Sequence, residues 1–198
     1  MVTKGDATRT LILEHASGVA ARDGLEALSI GKLAQDLSLS KSGLFAHFGS
    51  KEALQLAILE FETERFIAEV LKPALAAPRG VPRLEALFDR YATWALARQK
   101  TGGCLFMSAS FELDDRPGPA RDKLVATERD WLETLAHAVR IAAREGHFSA
   151  DVDPELAAQE LHGIQMAAHH MVRLLGDDEA IPRARRAFTR WLAGYRKP

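Results

Sequence analysis

The stretch LAQDLSLSKSGLFAHFGSKEAL, residues 33–54, decides the fold. Leu33, Ala34 and Leu37, with Ile30 just before them, recur at helical spacing, and Ser29 stands where a helix cap belongs. Ser38-Leu39-Ser40 is a polar turn. Ser40 caps a second short pattern carrying Leu44, Phe45 and Phe48, and Gly49 ends it. Ser50 then opens a longer helix with Leu54, Ile58 and Phe61 at i, i+4 and i+7. Short helix, turn, short helix is a helix-turn-helix pattern. If its second helix is to enter a major groove, the inner side, Leu44 and Phe48, must pack on the preceding helices. The outer side must be small and polar, because bulk there holds the backbone away from base edges. Ser40, Lys41, Ser42, Gly43 and His47 meet that requirement, and Lys51 follows where a phosphate would pass. Residues 41–51 hold two lysines and no acid, a local charge of +2 in a chain whose formal net charge is −1.

Working outward, helical periodicity holds almost everywhere. Upstream, a first helix fits from about Thr8 to Asp23, with Gly24 as its stop. Downstream, Pro73 and Pro78-Arg79-Gly80 are breaks, and a fifth helix fits Val81–Gln99 with Leu84, Leu87, Phe88, Tyr91 and Trp94 on one face. After Gly102-Gly103 come a short sixth helix at Cys104–Leu113, a loop at 114–119 and a long seventh helix at Ala120–Arg144. Asp153-Pro154 starts an eighth, which ends at Gly176, and a ninth begins near Pro182. The expected fold class is all-α, with nine helices and no sheet.

Composition agrees. The chain has 198 residues, 47% hydrophobic and 27% charged, which are globular values and exclude a largely disordered or collagen-like chain. The single cysteine, Cys104, excludes an intrachain disulfide and a multi-cysteine zinc site. Packing is the expected role of Cys104, since a lone buried thiol is inert in most settings. His169 and His170 are adjacent on a helix, about 100° apart, and cannot easily chelate one ion, so no metal is expected. No cofactor motif is present either. The first residues are polar and Leu11-Ile12-Leu13 is too short for a signal-peptide core. No membrane span is expected, and the expected location is cytoplasmic.

Residues 33–54, with AARDGLEALSI at 20–30, resemble the DNA-binding domain of the TetR family of transcriptional regulators. The match covers about residues 8–60. The resemblance implies an all-α homodimer that binds a palindromic operator in double-stranded DNA, usually as a repressor. It implies a helix-turn-helix domain at 6–65 and a helical ligand-binding and dimerisation domain at 66–198. By position, the family's DNA contacts fall on Ser40, Lys41, Ser42, Gly43, Phe45, His47 and Lys51, and on Ser29 at the start of the preceding helix. The chain departs from the family pattern at Ser38, where glycine is common, at Ser42-Gly43 for Gly-Thr, and at Phe45 for tyrosine.

The later helices are rich in large apolar residues. Phe66, Phe88, Tyr91, Trp94, Met107, Phe111, Trp131 and Met166 are candidates to line an effector pocket, against the plainer reading that aromatic stripes at helical spacing are core. Such a lining favours a small apolar or aromatic effector, with Tyr91, Trp94 and Trp131 offering polar handles. The helices at about 154–176 and 182–195 carry apolar faces suited to pairing with a second copy as a four-helix interface. Arg183, Arg185, Arg186 and Arg190 read as a solvated face. An activator, a global DNA-binding protein without a ligand and a helical enzyme are the alternatives. The enzyme has least support, because no nucleophile–base motif or phosphate loop is present.

Overall fold

The computed structural model describes residues 4–98 and 102–196. The opening three residues, the expected helix end at Gln99 and the terminal Pro198 lie outside that range. The helices are α1 (Lys4–Asp23), α2 (Ile30–Asp36), α3 (Lys41–Phe48), α4 (Lys51–Phe66), α5 (Val81–Ala97), α6 (Leu105–Leu113), α7 (Pro119–Arg144), α8 (Pro154–Leu175) and α9 (Ala180–Tyr195). Among the described residues the fold is therefore all-α as expected. The one strand-like pairing there is an isolated antiparallel bridge between Phe148 and Arg196. No helix of the described residues is long and apolar enough to cross a membrane.

Local chemistry sets the helix starts. The Ser29 hydroxyl accepts the Lys32 N–H, Ser40 that of Gly43 and Ser50 that of Ala53. Asp153 accepts from both Glu155 and Leu156 at the head of α8, where Pro154 lacks a donor. The ninth helix starts at Ala180, ahead of the Pro182 expected from sequence. A proline in the first turn needs no intrahelical donor, so Pro182 sits inside the helix.

Pro73 does not break the chain as expected. Instead α4 runs on through a π-helical turn at Ile67–Leu71 and a last α-turn at Lys72–Leu75. In the wider turn the Lys72 N–H reaches the Ile67 carbonyl, five residues back. Proline inside a helix lacks a donor and crowds the carbonyl four residues earlier; a widened turn relieves both faults.

The chain forms two compact units, Met1–Arg65 with Lys100–Ala126, and Phe66–Gln99 with Thr127–Pro198. In the first, α1 packs on α2 and α6, and α2 on α3. Its core includes Ile12, Leu25, Leu33, Leu44, Leu54 and Ile58, all fully or almost fully buried. In the second, α8 packs on α9 and on α5, around Leu84, Leu87, Leu135, Phe148, Leu161 and Phe188. Residues 100–126 group with the N-terminal unit. Close contacts within the first unit explain this. The Glu112 carboxylate accepts the backbone N–H groups of Leu25 at 2.7 Å and Glu26 at 2.9 Å. A Cβ added to Gly102 would stand 2.5 Å from the backbone of Ala21, so only glycine lets the chain pass α1 there.

Candidate nucleic-acid interface

The turn between α2 and α3 is closed by its own backbone. Ser38 takes a left-handed conformation, φ 54°, and its N–H bonds the Gln35 carbonyl at 3.1 Å. The Leu39 N–H bonds the Ala34 carbonyl at 2.8 Å. This doubly bonded helix end fixes the angle at which α3 leaves α2. Leu44 and Phe48 then face inward, 0% and 9% exposed, and the Arg9 guanidinium of α1 covers the Phe48 ring at 5.4 Å. The inner face expected from sequence is the one buried.

The outer face is open. Ser40, Lys41, Ser42, Gly43 and Phe45 are exposed, Phe45 at 51%, and His47 is half-buried beside Phe48. Ser40 does two jobs here: it caps α3 and lies 3.3 Å from the Ser42 hydroxyl. A Cβ on Gly43 would come within 2.9 Å of the Ser40 oxygen, so the missing side chain preserves the cap. Ser29, cap of α2, is also exposed.

Lys51 is half-buried and already engaged. Its ammonium donates to the Glu26 carbonyl at 2.5 Å and to the Glu26 carboxylate at 3.1 Å. Gln55, buried, donates to the other oxygen of that carboxylate and to the Leu25 carbonyl. The Gln55 hydrogen bond, and after it Lys51, hold the Glu26 carboxyl below its usual range. Sequence reading missed Glu26, Gln55 and Glu112. Glu112 sits 86 residues from Glu26, and no local pattern signals such a contact.

Four of the eight expected effector-lining residues come together in the second unit. The Phe66 ring stands edge-on to Trp94 at 5.4 Å, Trp131 at 5.2 Å and Tyr91 at 6.5 Å, while Tyr91 stacks on Trp131. The Arg98 guanidinium lies over Trp94 and pairs with Glu69. Trp94 Nε1 is buried with no hydrogen-bond partner among the described residues, whereas Trp131 donates to Gln165 at 3.2 Å. The other four separate. Phe88 stacks on Phe188 at 4.4 Å in its own cluster, and Met166 is half-buried on α8. Met107, buried, and Phe111, 69% exposed, belong to the other unit.

A groove of about 660 Å³ runs between α7 and α8. Arg129, Leu132, Glu133 and Ala136 line one wall; Glu155, Ala158, Gln159 and His162 line the other. Arg140 bridges Glu133 and Glu155. His162 stands 3.8 Å from Glu128. Burial pushes the Glu128 carboxyl up and the His162 imidazole down, which favours the neutral form of each.

A rigid, acid-free helix presented outward on two supporting helices is the reading head of a helix-turn-helix DNA-binding regulator. Comparison with known proteins gives the family. Residues 12–58 match "Bacterial regulatory proteins, tetR family", and residues 80–188, more than half of the chain, match "Tetracyclin repressor-like, C-terminal domain". The chain belongs to the TetR family of bacterial transcriptional regulators. The HTH-type transcriptional regulator UidR of Escherichia coli K12 is 34% identical over 73 residues, which is 37% of this chain and 37% of UidR. Among solved structures, a TetR regulator from Chloroflexus aurantiacus J-10-FL is 24% identical, with a TM-score of 0.84 over 96% of this chain and 94% of that one. One from Agrobacterium tumefaciens is 15% identical, with a TM-score of 0.85 over 98% and 100%. At these identities the structures speak for the fold alone. The family and these neighbours are regulators rather than enzymes.

Proposed function

We propose that this regulator is a ligand-responsive repressor that binds a palindromic operator as a homodimer. The open outer face of α3 carries the reading: Ser40, Lys41, Ser42, Gly43 and Phe45 are solvent-facing on a helix whose opposite side is locked into the core. Ser29, His47 and Lys51 flank that face as phosphate or base contacts. Two copies are needed because successive major-groove half-sites lie about 34–36 Å apart.

The effector is a small apolar or aromatic molecule bound in the second unit. The ring surfaces around Phe66, Tyr91, Trp94 and Trp131 support this, as does the buried Trp94 indole donor, which has no partner among the described residues and would take a hydrogen-bond acceptor. The effector acts by shifting the population of dimers between forms that fit and do not fit the half-site spacing, and only as far as it binds the second form better. Helix α4 carries the change, since the boundary between the units falls within it, at Arg65–Phe66. Operator must then weaken effector binding by the same factor.

The test is selection of sites from random duplex DNA by the purified protein, with the winner titrated at two salt concentrations. A palindrome with half-sites about one helical turn apart is expected. Weak, salt-sensitive affinity for every sequence overturns specific operator binding.

A further inference from the structure

We propose that Phe45 selects thymine in the operator, by contact between its exposed ring and the 5-methyl group that thymine carries into the major groove. This rests on the DNA-binding reading above. The argument starts from what α3 exposes. Strong base selection by side chains uses Arg or Lys on guanine, Asn or Gln on adenine, or a carboxylate on cytosine. Of these, residues 40–47 contain Lys41 alone. The other hydrogen-bonding groups of the open face are the Ser42 hydroxyl and that of Ser40, which already caps the helix, with His47 half-buried at its edge.

The large apolar surface there is Phe45, 51% exposed on a helix whose inward positions are already filled by Leu44 and Phe48. Lys41 and Ser42 lie four and three residues before it, on the same side of the helix. A ring that shares a face with a lysine and a serine is carried to wherever those two meet DNA. Its neighbours Gly43 and Ala46 are small and exposed, so nothing bulky holds the ring off a base edge. Phenylalanine has no hydroxyl to give a phosphate. The apolar group a major groove offers it is the thymine methyl.

Deoxyuridine removes that methyl and leaves base pairing unchanged, so it isolates the contact. In the site recovered by selection, each thymine is replaced in turn by deoxyuridine. A single replacement, in one half-site only, should weaken the wild type about fourfold, and the symmetric pair about fifteenfold, as expected for burial of one methyl each. The F45A protein should bind both operators weakly and alike. F45L keeps an apolar side chain and should keep part of the discrimination. Thermal midpoints equal to wild type separate lost contact from lost fold. A wild type indifferent to every replacement overturns the proposal, as does discrimination that survives undiminished in F45A. Both differ from failure to recover any site, which overturns the DNA-binding reading itself.

Discussion

At the scale of single residues, Ser38 is the position where local preference and fold disagree most. Its φ of 54° belongs to a region where a side chain costs about 1 kcal/mol or more and glycine costs nothing extra. The two backbone bonds that close the helix end outweigh the strain. Ser38→Gly should therefore stabilise the protein by about 0.5–1 kcal/mol, read from the midpoint of urea unfolding. An unchanged or lower midpoint would mean that the serine hydroxyl makes up for the strain. Lys41 and Lys51 look equivalent in the sequence, but among the described residues only Lys51 of the two has a carboxylate, that of Glu26, against its ammonium. Losing a lysine that neutralises a phosphate lowers the slope of log affinity against log salt by about one. Lys41→Ala should show that full loss for each chain bound. Lys51→Ala should show less, because Glu26 already supplies part of its counter-charge. Salt titrations of both variants on one operator decide it, and equal losses would mean that Lys51 releases Glu26 on binding.

At the scale of elements, Glu112 ties α6 to the turn between α1 and α2. Its carboxylate takes two backbone donors, and Gly24 leaves room for it: a Cβ there would sit 2.7 Å from a Glu112 oxygen, in a backbone region, φ 98°, that side chains avoid. Hydrogen bonds to a charged group contribute about 1.5–3 kcal/mol each, and solvent access to the Glu26 N–H lowers the sum. Glu112→Ala should cost about 2 kcal/mol in denaturant unfolding, with faster hydrogen exchange at Leu25 and Glu26. Normal exchange at those two amides would show that the turn holds without α6. This contact also marks the limit of the sequence. Ser29, Ser40, Gly49 and Asp153-Pro154 announce their helix ends through bonds spanning a few residues, and alternation of Leu44 and Phe48 with open positions announces which side of α3 faces out. Those signals are local. Glu112 on the Leu25 N–H, and the return of 100–126 to the first unit, arise from packing between distant segments. Pro73 misled for a related reason: a proline signals a fault in α-helical bonding, and the π-turn that repairs it depends on the surrounding packing.

At the scale of the whole molecule, acid and self-association put the second unit to the test. Burial, then the charges of Arg173 and His170, push the His169 imidazole from 6.5 down to about 4. Between those values the unfolded chain binds a proton that the folded one refuses, so folding loses ground as pH falls. The contribution is complete above about 6.5 and is lost on the way down to about 4. Relative to wild type, His169→Gln should flatten stability between pH 6.5 and 4.5 by about 2 kcal/mol, less than the full shift implies because the ring keeps some solvent contact. Superimposable stability–pH curves for the two proteins would place the pH dependence elsewhere. The same helix, α8, carries Leu156, Met171, Leu174 and Leu175 at 49%, 39%, 70% and 61% exposure. Between them on that helix Gly163 and Ala167 are also exposed, and a Cβ at Gly163 would meet nothing within 4 Å. Large apolar ends around a small-residue middle suit close approach by a second helix, and water is a poor partner for so much leucine. In the proposed homodimer each copy would present this face to the other, so symmetry doubles the cost of a change there. Leu174→Glu should weaken self-association at least about tenfold in sedimentation, the expected cost of placing a charge in an apolar interface. Operator affinity should fall with it and recover as protein concentration is raised, because two linked reading heads bind DNA more tightly than two separate ones. A Leu174→Glu protein that stays dimeric and keeps its affinity would move the interface off α8.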